Sequence, residues 1–161
     1  MKEFRKISVI GLGLIASSIC LTLRQKDPTI KLVGYDKDKV VRNRAKKIGL
    51  CKVESNIDNA VSGSQLIILC VPVGQMQAVT QRLKKIIEPG ITITDVGSVK
   101  LSVIEEIESN IESVGGKYVP SHPIAGTERS GPDAGYAGLF EGRWCILTPT
   151  KKTNKKALNS V

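Results

Sequence analysis

Aromatic residues make up only 4% of this 161-residue chain, and His122 is its single histidine. So few rings leave no stacking platform for single-stranded nucleic acid, although a formal charge of +9 draws anions. The lysines are scattered rather than striped, so the expected partner is a small anionic cofactor or substrate and not a nucleic acid. Cys20, Cys51, Cys70 and Cys145 lie far apart in the sequence with no Cys-x-x-Cys spacing. With one histidine besides, neither a disulfide framework nor a metal site is expected, and the cysteines read as small apolar fillers. No apolar run approaches the ~20 residues of a membrane span, so no membrane partner is expected. Met1–Lys6 leads straight into the first apolar run, which leaves no room for a signal peptide and points to a cytoplasmic setting. The length suits one domain with a real core and is too short for a nucleotide domain plus a second full domain.

What the chain does have is alternation. Apolar runs near 6–10, 31–35, 66–71, 91–95, 117–119 and 144–148 are separated by stretches of helical period. That pattern predicts an α/β fold of the Rossmann type: a doubly wound, mostly parallel sheet with helices on both faces. A helix is predicted over Leu14–Lys26, stopped by Asp27-Pro28, and a second over Lys37–Ile48, ended by Gly49. Leu66–Val71 is apolar at every position, as a central strand covered on both faces should be. Pro72 cannot donate to the ladder and marks that strand's end, and a further helix is predicted from Gln75 to Ile87. Residues 151–161 read as the start of a linker or helix cut off by the end of the chain, with 1–150 as the nucleotide-binding domain.

Gly11-Leu12-Gly13-Leu14-Ile15-Ala16 follows the first strand and opens the first helix, and Asp36 closes the second strand 25 residues after Gly11. A strand, a glycine turn and a helix N-terminus leave backbone N–H groups able to hold a pyrophosphate. Gly11 allows the tight turn, Gly13 the approach of the cofactor, and Ala16 close helix–strand contact; the amides of Leu14 and Ile15 join the site. Asp36 can hold the ribose hydroxyls of NAD and repel an added phosphate, so NAD is preferred, while Lys37 beside it keeps NADP open. An ordinary strand-to-helix turn with an exposed Asp36 is the competing reading. Strand ends in such a sheet face the ligand crevice, which brings Val71 and Pro72, Gly97 and Ser98, and Ser121-His122-Pro123 to the same place.

Ser121-His122-Pro123-Ile124-Ala125-Gly126-Thr127-Glu128-Arg129-Ser130-Gly131, with Leu139–Pro149 and Thr94–Lys100, strongly resembles the prephenate dehydrogenase family and its arogenate-using relatives. With the glycine turn, the resemblance covers residues 4–150. It implies oxidative decarboxylation of prephenate to 4-hydroxyphenylpyruvate with NAD or NADP, in tyrosine biosynthesis. By that resemblance His122 is the base that draws the proton from the ring hydroxyl as hydride leaves, a task suited to an imidazole with a pKa of about 6.5. Ser98 orients His122 and the hydroxyl, Glu128 is the acid at the mouth of the site, and Thr127 is its polar neighbour. Taken alone, His122 before a proline is more often a satisfied loop residue, Ser98 is equally a helix N-cap, and Glu128 and Arg129 form a surface pair.

The resemblance also implies a helical domain beyond the nucleotide domain that forms a homodimer and supplies cations to the substrate carboxylates. The chain stops at Val161, so a fragment lacking those cations is expected, with its own activity in doubt. Two other readings stand beside the enzyme: a bare NAD-binding module, and another dehydrogenase or imine reductase on the same fold. The Ser-His-Pro setting of His122 argues against the last.

Overall fold

The computed structural model describes residues 4–161. Six strands form one parallel sheet: β1 (Lys6–Ile10), β2 (Lys31–Tyr35), β3 (Lys52–Val53), β4 (Leu66–Leu69), β5 (Thr92–Asp95) and β6 (Lys117–Val119), in the order β3-β2-β1-β4-β5-β6. The chain builds outward from β1 in one direction and from β4 in the other. The topological switch point therefore lies between β1 and β4, where open sheets of this kind form their ligand crevice.

Strand periodicity sorts the core into two layers. On one face Ile7 and Val9 of β1 and Leu66 and Ile68 of β4 meet Ala16 and Cys20 of α1 (Leu14–Lys26) and Ala45 of α2 (Lys39–Lys47). On the other, Ile10, Ile67, Leu69 and Ile93 meet Ala60 of α3 (Ile57–Val61), Met76 and Leu83 of α4 (Met76–Leu83), and Val103, Ile107 and Ile111 of α5 (Lys100–Glu112). Neighbouring residues on β1 and β4 thus serve opposite layers, which is why β4 is apolar throughout and the one polar residue inside β1, Ser8, is buried and donates to Ala60 O at 2.6 Å.

Local chemistry sets the element ends. Asp27 turns the chain after α1 by accepting from Thr29 N–H at 2.9 Å. Asp38 caps α2 through Val40 N–H at 2.7 Å, so that helix begins two residues later than its apolar pattern suggested. The helix expected over Gln75–Ile87 is shorter, Met76–Leu83, preceded by a 3-10 turn at Val73–Gln75. The central run is strand only to Leu69: Cys70 N–H still donates to Ile10 O, while Val71 and Pro72 leave the ladder and line the crevice with it.

One expected strand takes a different place. Residues 145–147 form β8 (Cys145–Leu147), but it pairs antiparallel with β7 (Ser121–Pro123) in a separate two-stranded ribbon. A parallel return needs a long crossover, usually a helix. Between the two strands lies only a 3-10 turn, Pro132–Ala134, so the chain comes back beside itself. The sixth parallel strand is β3, two residues long. The intervening loop lies on α1, where a Cβ on Gly135 would meet Ser17 Cβ at 2.3 Å and Thr22 Oγ1 donates to Ala137 O at 2.7 Å. Arg44 of α2 pairs with Asp133 at the same loop, lowering the Asp133 carboxyl below its usual range. Cys20, Cys51 and Cys70 pack in the layer behind the glycine turn, but Cys145 is exposed on the ribbon and fills nothing. The short α6 (Lys155–Ser160), capped by Asn154, ends the chain with Ala157 buried. No helix is long and apolar enough to cross a membrane among the described residues.

Candidate functional site

The turn after β1 has the geometry that a bound diphosphate requires. Gly11 lies at φ +90°, and a Cβ there would come within 2.7 Å of Cys70 O, so only glycine fits. Gly13 is open in the opposite sense: a Cβ on it would meet nothing within 4 Å. It is the N-cap of α1 without a side-chain cap, and the first bond into the helix is Ser17 N–H to Gly13 O at 2.9 Å. The amides of Leu14, Ile15 and Ala16 therefore end the helix without partners inside it, at the positive end of its dipole. Ala16 is fully buried against the sheet, as a close helix–strand contact demands.

Asp36 completes this end and does more than its spacing revealed. Its Oδ2 accepts from Leu12 N–H at 2.8 Å and its Oδ1 from Asp38 N–H at 2.9 Å, so the carboxylate braces the glycine turn as well as ending β2. A carboxylate has about four lone-pair sites, which leaves capacity for two ribose hydroxyls. Gly11, Gly13, Asp36, Lys37, Val71 and Pro72 line a single cleft of about 430 Å³ at the switch point. Arg42, unnoticed in the sequence, stacks 5.7 Å from the Tyr35 ring and donates to Asp36 O at 2.6 Å and Lys37 O at 2.9 Å. The site residues present thus fit a dinucleotide: an open approach at Gly13, unpartnered helix amides, and an acid with spare acceptors.

Hydrogen bonds lace the carboxyl ends of the strands into one edge. Gly11 N–H donates to Tyr35 O at 2.8 Å, Cys70 N–H to Ile10 O at 2.7 Å, and Val96 N–H to Leu69 O at 3.1 Å. At the far end Ser121 N–H donates to Asp95 Oδ1 at 3.3 Å, which ties the segment of His122 to the end of β5. His122 therefore follows the strand three places from β1, and three strand spacings are about 14 Å. Burial and the Asp95 carboxylate beside it push the Tyr118 hydroxyl well above its ordinary pKa, and burial does the same to the Cys70 thiol.

This second end is open. His122 is half-buried and pairs in the ribbon with Ile146, while Ser98, Thr127 and Glu128 are exposed. None of the four lines the 430 Å³ cleft, and Gly97 lies buried beside Asp95 rather than in it. The N-cap of α5 is Val99, so Ser98 does not cap that helix, and among the described residues its hydroxyl bonds neither His122 nor any other group. No ion pair joins Glu128 to Arg129 among the described residues; Thr127 Oγ1 instead accepts from Arg129 N–H at 3.2 Å. A separate, apolar groove of about 460 Å³ lies on the α1 side of the sheet between α1, β4, β5 and the ribbon. Its lining, Ile19, Leu23, Leu66, Ile68 and Pro123 among others, offers no phosphate-binding amides. Among the described residues no cluster of His, Cys, Asp or Glu can hold a metal ion.

A parallel sheet in this strand order with a glycine turn at its switch point and an acid ending β2 defines a dinucleotide-binding domain. More narrowly, the chain belongs to the prephenate dehydrogenase family: residues 19–161 match the family model described as prephenate dehydrogenase, nucleotide-binding domain. The glycine turn precedes that match but falls within the alignments to individual relatives. The chain is 41% identical over 159 residues to a cyclohexadienyl dehydrogenase of Zymomonas mobilis, covering 98% of this chain and 54% of the relative. A solved structure of prephenate dehydrogenase from Aquifex aeolicus, in complex with hydroxyphenyl propionate and NAD+, superposes with a TM-score of 0.88 at 30% identity, over 97% of this chain and 54% of that one. The Synechocystis arogenate dehydrogenase structure gives 0.86 at 28% identity, over 96% and 54%. The chain spans about half the length of the relatives it matches.

Proposed function

We propose that this chain is the nucleotide-binding half of a prephenate dehydrogenase that uses NAD. The observation that carries the reading is the pairing, on one laced edge, of an open glycine turn braced by Asp36 with the Ser98 and His122 segments. The amides that follow Gly13 would hold the pyrophosphate, Asp36 would hold the adenosine ribose, and Val71, Pro72, Gly97 and Ser98 would flank the path toward the nicotinamide. When bound there, NAD would supply the acceptor for the hydride lost from the ring carbon that bears the hydroxyl. His122 takes the proton of the ring hydroxyl, Ser98 orients that hydroxyl, and Glu128 with Thr127 guards the mouth. Loss of the ring carboxylate as carbon dioxide then aromatises the product to 4-hydroxyphenylpyruvate.

Residues 1–150 form the NAD-binding unit and 151–161 lead toward a helical half that completes the substrate site and forms a homodimer. The exposure of Ser98, Thr127 and Glu128 supports this, since a reaction that must exclude water needs that side covered. Cations for the two substrate carboxylates come from the same half, and without them each charge-assisted hydrogen bond forfeits roughly 1.5 to 3 kcal/mol. The 161-residue chain is thus expected to bind NAD with turnover several powers of ten below that of the protein with its second half. Arogenate is the alternative substrate, because the group that senses its amine lies outside the motifs present. Asp36 supports NAD over NADP, and Lys37 and Arg42 beside it leave NADP a weaker second ligand.

Calorimetric titration of the chain with NAD and NADP tests the cofactor reading, and absence of NAD binding overturns it. Comparing prephenate and arogenate as substrates of the protein with its second half settles the substrate.

A further inference from the structure

We propose that the buried Asp95–Lys100 pair is a positioning device that fixes the Ser98 turn and His122 relative to each other; this rests on the catalytic reading of His122. Asp95 is fully buried at the end of β5. Its Oδ1 accepts from Tyr118 O–H at 2.7 Å and Ser121 N–H at 3.3 Å, and its Oδ2 accepts from Gly97 N–H at 2.8 Å and from Lys100 Nζ. Lys100 Nζ also donates to Ser121 O at 2.7 Å. Ser121 Oγ donates to Asp95 O at 2.5 Å and lies 3.0 Å from Thr94 Oγ1. Every polar group of Ser121 is therefore held by β5 or the first residue of α5.

The carbonyl that Lys100 grips belongs to the peptide bond joining Ser121 to His122. That unit is planar, so holding its oxygen fixes the His122 nitrogen and Cα, and the ribbon pairing of His122 with Ile146 holds the next backbone torsion, leaving the imidazole its side-chain torsions. The same carboxylate, through Gly97 N–H, sets the turn that presents Ser98. A Cβ on Gly97 would lie 3.0 Å from Asp95 Oδ2, so the turn is closed tightly on the acid. One buried acid thus governs both proposed reacting segments. A buried ion pair is weak support for stability, because desolvation offsets its attraction. Its value here lies in geometry: a small misplacement of a reacting group costs far more rate than stability.

The test uses His122 as the chain's single histidine, whose ring gives one resonance per nucleus. In the 161-residue chain Lys100→Met is expected to split or broaden that signal and to speed amide exchange at His122 and Ile146 about tenfold, with Val9 and Ile10 unchanged. Lys100→Arg, which keeps the charge and can donate to both oxygens, restores the single sharp signal. A sharp, wild-type signal and exchange in Lys100→Met overturn the proposal. Protection lost equally at Val9 and Ile10 also overturns it, since that marks a role in global stability alone. If Lys100→Met does not fold, Tyr118→Phe, which removes one bond from Asp95, is read by the same criteria. The catalytic reading fails by a different result: His122→Asn retaining turnover in the protein with its second half, whatever Lys100 variants show.

Discussion

The two ends of the strand edge are held by different means. At the glycine turn the backbone is fixed largely by backbone, and the carboxylate that braces it, Asp36, is half-exposed and faces the cleft. At the His122 end, the ribbon leaves the main sheet and is held by fully buried side-chain chemistry around Asp95. In the proposed reading the first arrangement makes a cofactor site that is complete within the chain. The second fixes a histidine on an open surface, which in the proposed reading a further half of the protein closes. The lesson is that Gly11, Gly13 and Asp36 follow a recurring strand–turn–helix–strand spacing, whereas the proposed reacting end rests on side-chain partners that no recurring spacing records.

The sharpest way to break this comparison is His122→Asn in the protein with its second half. Turnover should fall by about 10²-fold or more with NAD affinity nearly unchanged, because a general base contributes that much. Steady-state kinetics and calorimetry check it, and equal loss of NAD affinity would show that the ends are not separable. At the other end, two glycines should part company. Gly11→Ala forces φ +90° on a side chain that meets Cys70 O, and should lower stability by about 1–3 kcal/mol along with NAD binding. Gly13→Ala places its Cβ in open space, so its melting temperature should stay within about 4 °C of wild type while NAD binding weakens. Asp36→Ala should weaken NAD about tenfold by removing a charge-assisted acceptor, and should narrow the advantage over NADP. Direct titration with both nucleotides measures that.

The smallest effect is a pH dependence. The folded state holds Tyr118 protonated above its ordinary pKa, while the unfolded chain releases that proton near pH 10. Stability from this group is therefore full below about pH 10 and falls as pH rises beyond it. Thermal melts from pH 8 to 11 should fall less steeply for Tyr118→Phe than for wild type.

The difference between the ends also explains what could be read from the chain. Gly11, Gly13 and Asp36 stand in fixed spacing because a turn, a helix start and a neighbouring strand set them. The strand at 145–147 was visible as an apolar run, but a short run does not state its partner, and only the missing crossover helix shows that it pairs with β7. β3 and α3, of two and five residues, are too short to carry a period. The bonds from Asp95 to Tyr118 and Ser121 span 23 and 26 residues, much as the Leu12–Asp36 bond spans 24, but no recurring motif fixes their spacing, and an acid, a lysine and a tyrosine in an apolar setting were the available signal.

The most direct measurement follows the ring resonances of His122 and the amide of Gly13 while NAD is added to the 161-residue chain. The account predicts that both shift and saturate at one dissociation constant, the pyrophosphate reaching one and the nicotinamide the other. A saturating shift at Gly13 with the His122 ring unmoved would contradict it.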